Sequence, residues 1–217
     1  MNVLIATPCF GRMIHQSYVS SLVGTVEGLL QMKADFQTLF LGNESNIQRA
    51  RNDLMHYALT KKPNFTHLFF IDADMGWEWS AFHTILRSDR KILSGICVKK
   101  RYPIEVVVEP LLGEHPDYDR AIRVVHAPVA FMKIDLAVLR EKAEKVMTYS
   151  GISSVTGKRE KIWNFFPTGP DANGNFLSED WGFTSLMREL DEPIFLQTGA
   201  YTTHSGIHTF KVGENGK

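Results

Sequence analysis

The sequence predicts an α/β fold with a mainly parallel central sheet flanked by helices. Three observations carry that expectation. Short apolar runs of strand length alternate with segments of helical spacing, in the order β-α-β-α-β-α-β, over about residues 1–100. The runs are continuously apolar, as strands covered on both faces are. Turn residues close them, at Thr7-Pro8, Gly42-Asn43 and Asp72.

Each element has its own warrant. Val3 to Ala6 is an apolar run stopped by Thr7-Pro8. From Gln16 to Met32, apolar residues at 18, 19, 22, 23, 26, 29 and 30 have helical spacing. Phe36 to Leu41 is a second strand. Ser45 opens a second helix, with Gln48 completing a capping box and Ile47, Ala50, Leu54 and Tyr57 forming its apolar stripe. His67 to Ile71 is a third strand ending at Asp72, followed by a helix over Trp79–Arg87 and a strand over Ile92–Cys97. The second half is less regular. Glu105–Glu109, Ile122–His126 and Val129–Lys133 read as strands, and Leu136–Val146 as a helix. Asp171 to Asn175 is a turn, Ser178–Leu190 a helix and Ile194–Gln197 a last strand. Residues 211–217 are polar and glycine-bearing and read as a mobile tail.

The 217 residues suit a single domain with a core of its own. Hydrophobic residues make up 44%, which excludes a disordered chain. Lys and Arg number 24, as do Asp and Glu, so no basic field draws nucleic acid. No apolar run reaches the ~20 residues that span a bilayer, so no integral membrane segment is expected. The N-terminus reads as a strand, not a signal peptide. Cys9 and Cys97 are too few for a disulfide framework or a four-thiolate zinc site, and a reduced, cytoplasmic setting is the simplest expectation.

Chemistry concentrates in four places. Phe70-Ile71-Asp72-Ala73-Asp74 delivers two carboxylates at the C-terminal end of a buried strand, where open α/β sheets bind ligands. Such hard oxygen ligands suit Mg²⁺ or Mn²⁺ shared with substrate phosphates, although a polar turn after a strand would use the same residues. The helix before it carries Arg49, Arg51 and Asn52. Helical spacing puts Arg49 and Asn52 on one face and Arg51 elsewhere, with Arg49–Asp53 as an alternative surface pair. At least one arginine is a candidate for anion binding. Glu179 and Asp180 stand in the first turn of a later helix, where the macrodipole favours acids and where a carboxylate could accept a proton from an attacking hydroxyl. His204-Ser205-Gly206-Ile207-His208 offers imidazoles to a transition ion. Lys99-Lys100-Arg101, after the fourth strand, is the densest basic run and leaves a role on a diphosphate open. Trp163, Phe165, Phe166 and Trp181 read mainly as core aromatics. No G-x-G-x-x-G or P-loop is present, which lowers dinucleotide oxidoreductases and P-loop NTPases.

With these motifs in order, the chain resembles glycosyltransferases of the GT-A fold, close to the family 2 type and its compact bacterial and viral relatives. The resemblance rests on Val3–Pro8, on Ala50-Arg51-Asn52 followed by the strand to Asp72-Ala73-Asp74, on Glu179-Asp180-Trp181 and on His204-x-Gly206. It implies a nucleotide-binding half over about 1–100 and an acceptor half over about 101–210. It implies donor contacts from Thr7, Pro8, Asn43, Glu44, Arg49, Arg51, Asp72, Ala73 and Asp74. It implies a Mn²⁺ or Mg²⁺ ion on Asp72, Asp74 and His204, and Asp180 or Glu179 as catalytic base. The implied reaction is inverting transfer from a nucleotide-diphospho-sugar, a UDP-sugar favoured, to a glycan, lipid or protein-linked acceptor. Two stretches depart from the family pattern. Gly42-Asn43-Glu44-Ser45 replaces its acidic turn, and Ala127-Pro128-Val129-Ala130-Phe131 its glycine-rich segment. Rival readings are a nucleotidyltransferase of related fold, a haloacid dehalogenase-like phosphatase and a non-catalytic sugar- or nucleotide-binding module. The phosphatase wants Thr or Val where Gly76 stands.

Overall fold

The computed structural model of the protein describes residues 1–61, 64–111, 120–206 and 209–213. Its first half runs β1 (Asn2–Pro8), α1 (Gln16–Gln31), β2 (Asp35–Leu41), α2 (Ile47–Thr60), β3 (His67–Ile71), β4 (Met75–Trp77), α3 (Trp79–Arg87) and β5 (Ile92–Ile96). Apart from the short β4, this is the alternation that the apolar runs predict. The second half adds β6 (Glu109–Pro110), β7 (Ala121–His126), β8 (Phe131–Asp135) and α4 (Leu136–Lys142). Two hairpins follow, β9 (Thr148–Ile152) with β10 (Arg159–Trp163) and β11 (Gly169–Pro170) with β12 (Phe176–Leu177). The described chain ends with α5 (Glu179–Glu189), β13 (Ile194–Ser205) and β14 (Thr209–Lys211).

The central sheet has the order β2-β1-β3-β8-β5-β13-β7-β6, with β4 and β14 attached to β13. β1, β2, β3, β5, β13 and the short edge strand β6 run one way, while β8 and β7 run the other. The sheet is therefore mixed but mostly parallel, with β8 inserted antiparallel between β3 and β5. Strand residues alternate between two cores. Leu4, Leu68 and Phe70 meet α2, α4 and α5 on one face, through Leu54, Leu139 and Phe183. Val3, Phe69 and Ile71 meet α1 and α3 on the other, through Tyr18, Leu29 and Phe82. Cover on both faces is why β1 and β3 carry no polar alternation.

Several boundaries differ from expectation, each for a local reason. Asn46, not Ser45, caps α2, its side chain accepting from the Arg49 N–H at 3.2 Å. Residues 105–107 fold back on 97–99 through a lone Val98–Val106 bridge instead of forming a strand of their own. Residues 127–130 are loop, so β8 begins at Phe131. The helix expected to reach Val146 ends at Lys142 in a tighter turn. β13 does not stop at Gln197. A register shift between Leu196 and Tyr201 lets it continue to Ser205. Of the expected mobile tail, Lys211 belongs to β14, and residues 214–217 lie outside the described residues, as does His208.

Candidate active site

The site is built where β1 and β3 end. Asp72 follows β3 directly, its N–H donating to the Ala130 carbonyl at 3.0 Å. The Met75 N–H closes a turn on the Asp72 carbonyl at 3.1 Å, so the chain reverses between the two acids. β4 then pairs antiparallel with β13, setting Met75 opposite His204. This extended second half of β13 is what carries His204 back to Asp74, 130 residues away in the chain.

Arg51 stands at the centre. Its side chain is only 1% exposed, and Nη2 lies 3.1 Å from Asp72 Oδ1 and 3.4 Å from Asp180 Oδ1. Nε lies 3.5 Å from Glu179 Oε1, and the guanidinium passes 5.5 Å over the Phe70 ring. One buried cation thus faces three carboxylates from two separate elements. Burial opposes its charge, but Asp72, Asp180 and Glu179 more than offset that and hold it protonated. Burial, with Glu179 and Asp72 as like charges, pushes the Asp180 carboxyl up to about 7, against the pull of Arg51 and the Val129 N–H. Arg51 Nε and Nη1, Asp72 Oδ1 and Asp180 Oδ1 are buried with no hydrogen bond of good geometry, so the ion pairs leave polar capacity open.

Arg51 does point away from Arg49, as helical spacing has it, but Arg49 and Asn52 do not share a solvated face. Residues 50–56 of α2 are all buried, because the helix is packed between the sheet and the β9–β10 hairpin. Its polar residues are paired inside the protein rather than solvated. Asn52 Nδ2 donates to Asn164 Oδ1 at 2.9 Å, and its Oδ1 accepts from the Phe166 N–H at 3.0 Å. Asp53 accepts from the Ser154 N–H at 2.6 Å, not from Arg49. Arg49 is half-exposed and pairs with Glu44 at 3.2 Å.

The second acid has different company. Asp74 Oδ1 lies 3.4 Å from His204 Nε2, while Lys100 Nζ bonds its Oδ2. His204 Nδ1 donates to the Val98 carbonyl at 2.8 Å, which fixes the ring and, in the neutral form, leaves a lone pair on Nε2 facing a carboxylate oxygen. Two acceptors in that relation suit a cation, so Asp74 and His204 fit a divalent ion as two of its ligands. Asp72 is turned to Arg51 instead. Among the described residues, no three His, Cys, Asp or Glu side chains converge on one ion-sized point.

A cavity of about 610 Å³ opens over this edge, lined by Pro8, Glu44, Asp72, Ala73, Asp74 and Lys100, with Cys9, Phe10, Met13 and Ile14 forming an apolar wall. Asn43 lines an adjoining cavity of about 480 Å³ and accepts from Arg12 Nε at 3.0 Å. Thr7 is fully buried, its hydroxyl 2.5 Å from Tyr18 Oη, and lines neither. The apolar wall was not foreseen, because a bend of mixed residues after a strand has no periodicity to read. Lys100 was visible only as part of a basic run.

No family model and no curated protein matches the chain. Among solved structures, the crystal structure of A197 from STIV matches at a TM-score of 0.55 and 16% identity, covering 95% of this chain and 86% of that one. That of S. aureus TarS 1-349 matches at 0.44 and 12%, covering 91% of this chain and 58% of that one. The likeness to A197 shows the fold. No helix among the described residues is long and apolar enough to cross a membrane.

Proposed function

We propose that this chain is a metal-dependent glycosyltransferase that moves a sugar from a nucleotide-diphospho-sugar to an acceptor hydroxyl, with inversion. The observation that carries this reading is the convergence of Asp72, Glu179 and Asp180 on buried Arg51, with Asp72 and Asp74 lining the cavity at the edge of the sheet and His204 set against Asp74. The α/β fold, with Asp72 directly after β3, agrees with the resemblance of the ordered motifs to GT-A glycosyltransferases.

In this mechanism Asp74 and His204 hold Mn²⁺ or Mg²⁺, which when bound supplies positive charge against the departing diphosphate. Asp72, held by Arg51 and lining the cavity, accepts a hydrogen bond from a donor hydroxyl. Asp180 takes the proton of the acceptor hydroxyl, and its raised pKa suits a base working near neutral pH. The acceptor oxygen bonds to the anomeric carbon as the bond from that carbon to the diphosphate oxygen breaks. The electron pair of that bond leaves with the diphosphate. Glu179 shares the first turn of α5 with Asp180 and is the second candidate for the base. The acceptor is a glycan, or a lipid- or protein-linked hydroxyl, and a UDP-sugar is the favoured donor.

The test is thermal stability against UDP-, GDP- and dTDP-sugars, each with Mn²⁺ and with EDTA. A ligand at a hundred times its Kd adds about 2.7 kcal/mol, a visible shift. A Mn²⁺-dependent shift with one nucleotide family, followed by transfer with inverted configuration, is the expected result. Stability unmoved by every donor sinks the reading.

A further inference from the structure

Lys100 stands apart from its neighbours in the basic run. Lys99 Nζ donates to Glu105 Oε2 at 2.7 Å, and Arg101 Nη2 bonds both oxygens of the same carboxylate at 2.7 and 2.6 Å. Those two cations are spent on Glu105. Lys100 lines the cavity and places its ammonium on Asp74 Oδ2. The same stretch supplies the Val98 carbonyl that orients His204. One segment after β5 therefore fixes the imidazole and neutralises the carboxylate beside it.

We propose that Lys100 is a tethered counter-cation for Asp74, one that a divalent ion must displace. This rests on the reading of Asp74 and His204 as metal ligands. An ammonium and a divalent ion cannot both sit on Asp74 without strong like-charge repulsion, so the Lys100 side chain swings away when the ion enters. Lys100 lines the cavity that would take the diphosphate, and phosphate oxygens are the natural acceptors for the released ammonium. Metal and diphosphate then bind cooperatively, because the diphosphate accepts the lysine that the metal expels. In the protein without donor, Lys100 keeps metal affinity low and spares Asp74 from standing as a bare carboxylate.

The experiment titrates Mn²⁺ alone into the full chain and follows the free-ion electron paramagnetic resonance signal. Three proteins are compared, the parent, Lys100→Met and Asp74→Asn. Met keeps the length and apolar stem of lysine at a side chain about one-third exposed, so the fold is retained. Lys100→Met should bind Mn²⁺ roughly fivefold or more tightly than the parent, from the lost ion pair and the removed repulsion. Asp74→Asn should bind it far more weakly than either. Equal affinity in the parent and Lys100→Met, both lost in Asp74→Asn, overturns the role of Lys100 and leaves the metal site standing. No Mn²⁺ binding by Lys100→Met overturns both.

Discussion

Arg51 Nη2 lies 3.1 Å from one oxygen of Asp72 and 3.2 Å from the other, joining the helix before β3 to the acid after it. The same guanidinium reaches Glu179 and Asp180 on α5, so the two acidic motifs share one cation. Replacing Arg51 by Met would leave three carboxylates facing each other. Removing one partner of a buried ionic group is costly, and the acids keep some solvent access. The expected loss is therefore roughly 3 kcal/mol, at the low end for such sites. Urea denaturation measures it. Arg51→Lys should recover only part, because a single ammonium cannot span both elements. A parent-like midpoint for Arg51→Met would show that the cluster does not depend on this charge.

Asp180 gives a pH dependence with a definite sign. Its carboxyl is raised from 3.8 to about 7, with burial the foremost cause. Between those values the folded protein holds a proton that the unfolded chain has released. Stability from this group is therefore greatest below pH 3.8 and falls as pH rises toward 7. Asp180→Asn removes that dependence. Against the parent, it should gain stability at pH 8 relative to pH 5, as read from paired urea curves. Transfer should fall by about 10²–10⁴-fold, the usual share of a general base.

The two acids of the Asp72-Ala73-Asp74 triplet should fail differently when each is changed to Ala. Both variants should lose transfer. Asp74→Ala removes a residue about one-third exposed and should also lose the Mn²⁺-dependent thermal shift while folding normally. Asp72→Ala takes a partner from Arg51 and should lower stability even without metal. Substantial transfer by both variants would end the glycosyltransferase reading.

Gly182 tests the placement of α5. A Cβ built there would sit 1.7 Å from the Pro167 carbonyl oxygen, a backbone atom with nowhere to go. The close approach holds the first turn of α5, and with it Glu179 and Asp180, against the 165–167 segment. Gly182→Ala should cost about 3 kcal/mol or more and move Asp180 off the Val129 N–H. Thermal unfolding and the pH profile of stability report the two effects separately.

The sequence by itself determined the layered α/β class and most element positions in the first half, and it brought forward the acids of the candidate site. It could do so because doubly covered strands are apolar runs, and because Asp72 stands where such a strand stops. It also singled out Asp74, Glu179, Asp180 and His204. The tertiary structure decided how these groups are shared. Helical spacing assigns a face relative to one surface, but α2 is packed between the sheet and the β9–β10 hairpin, so Arg51 points inward and acquires three acids. The hairpin itself was missed, since its residues are mixed in character and its strands pair mainly with each other. His204 reaches Asp74 only because β13 runs on through a register shift, and Lys100 meets it from the segment after β5, 26 residues along the chain. These are long-range pairings, and the choice among several partners of like charge is made by the packing of distant segments, which no local pattern records.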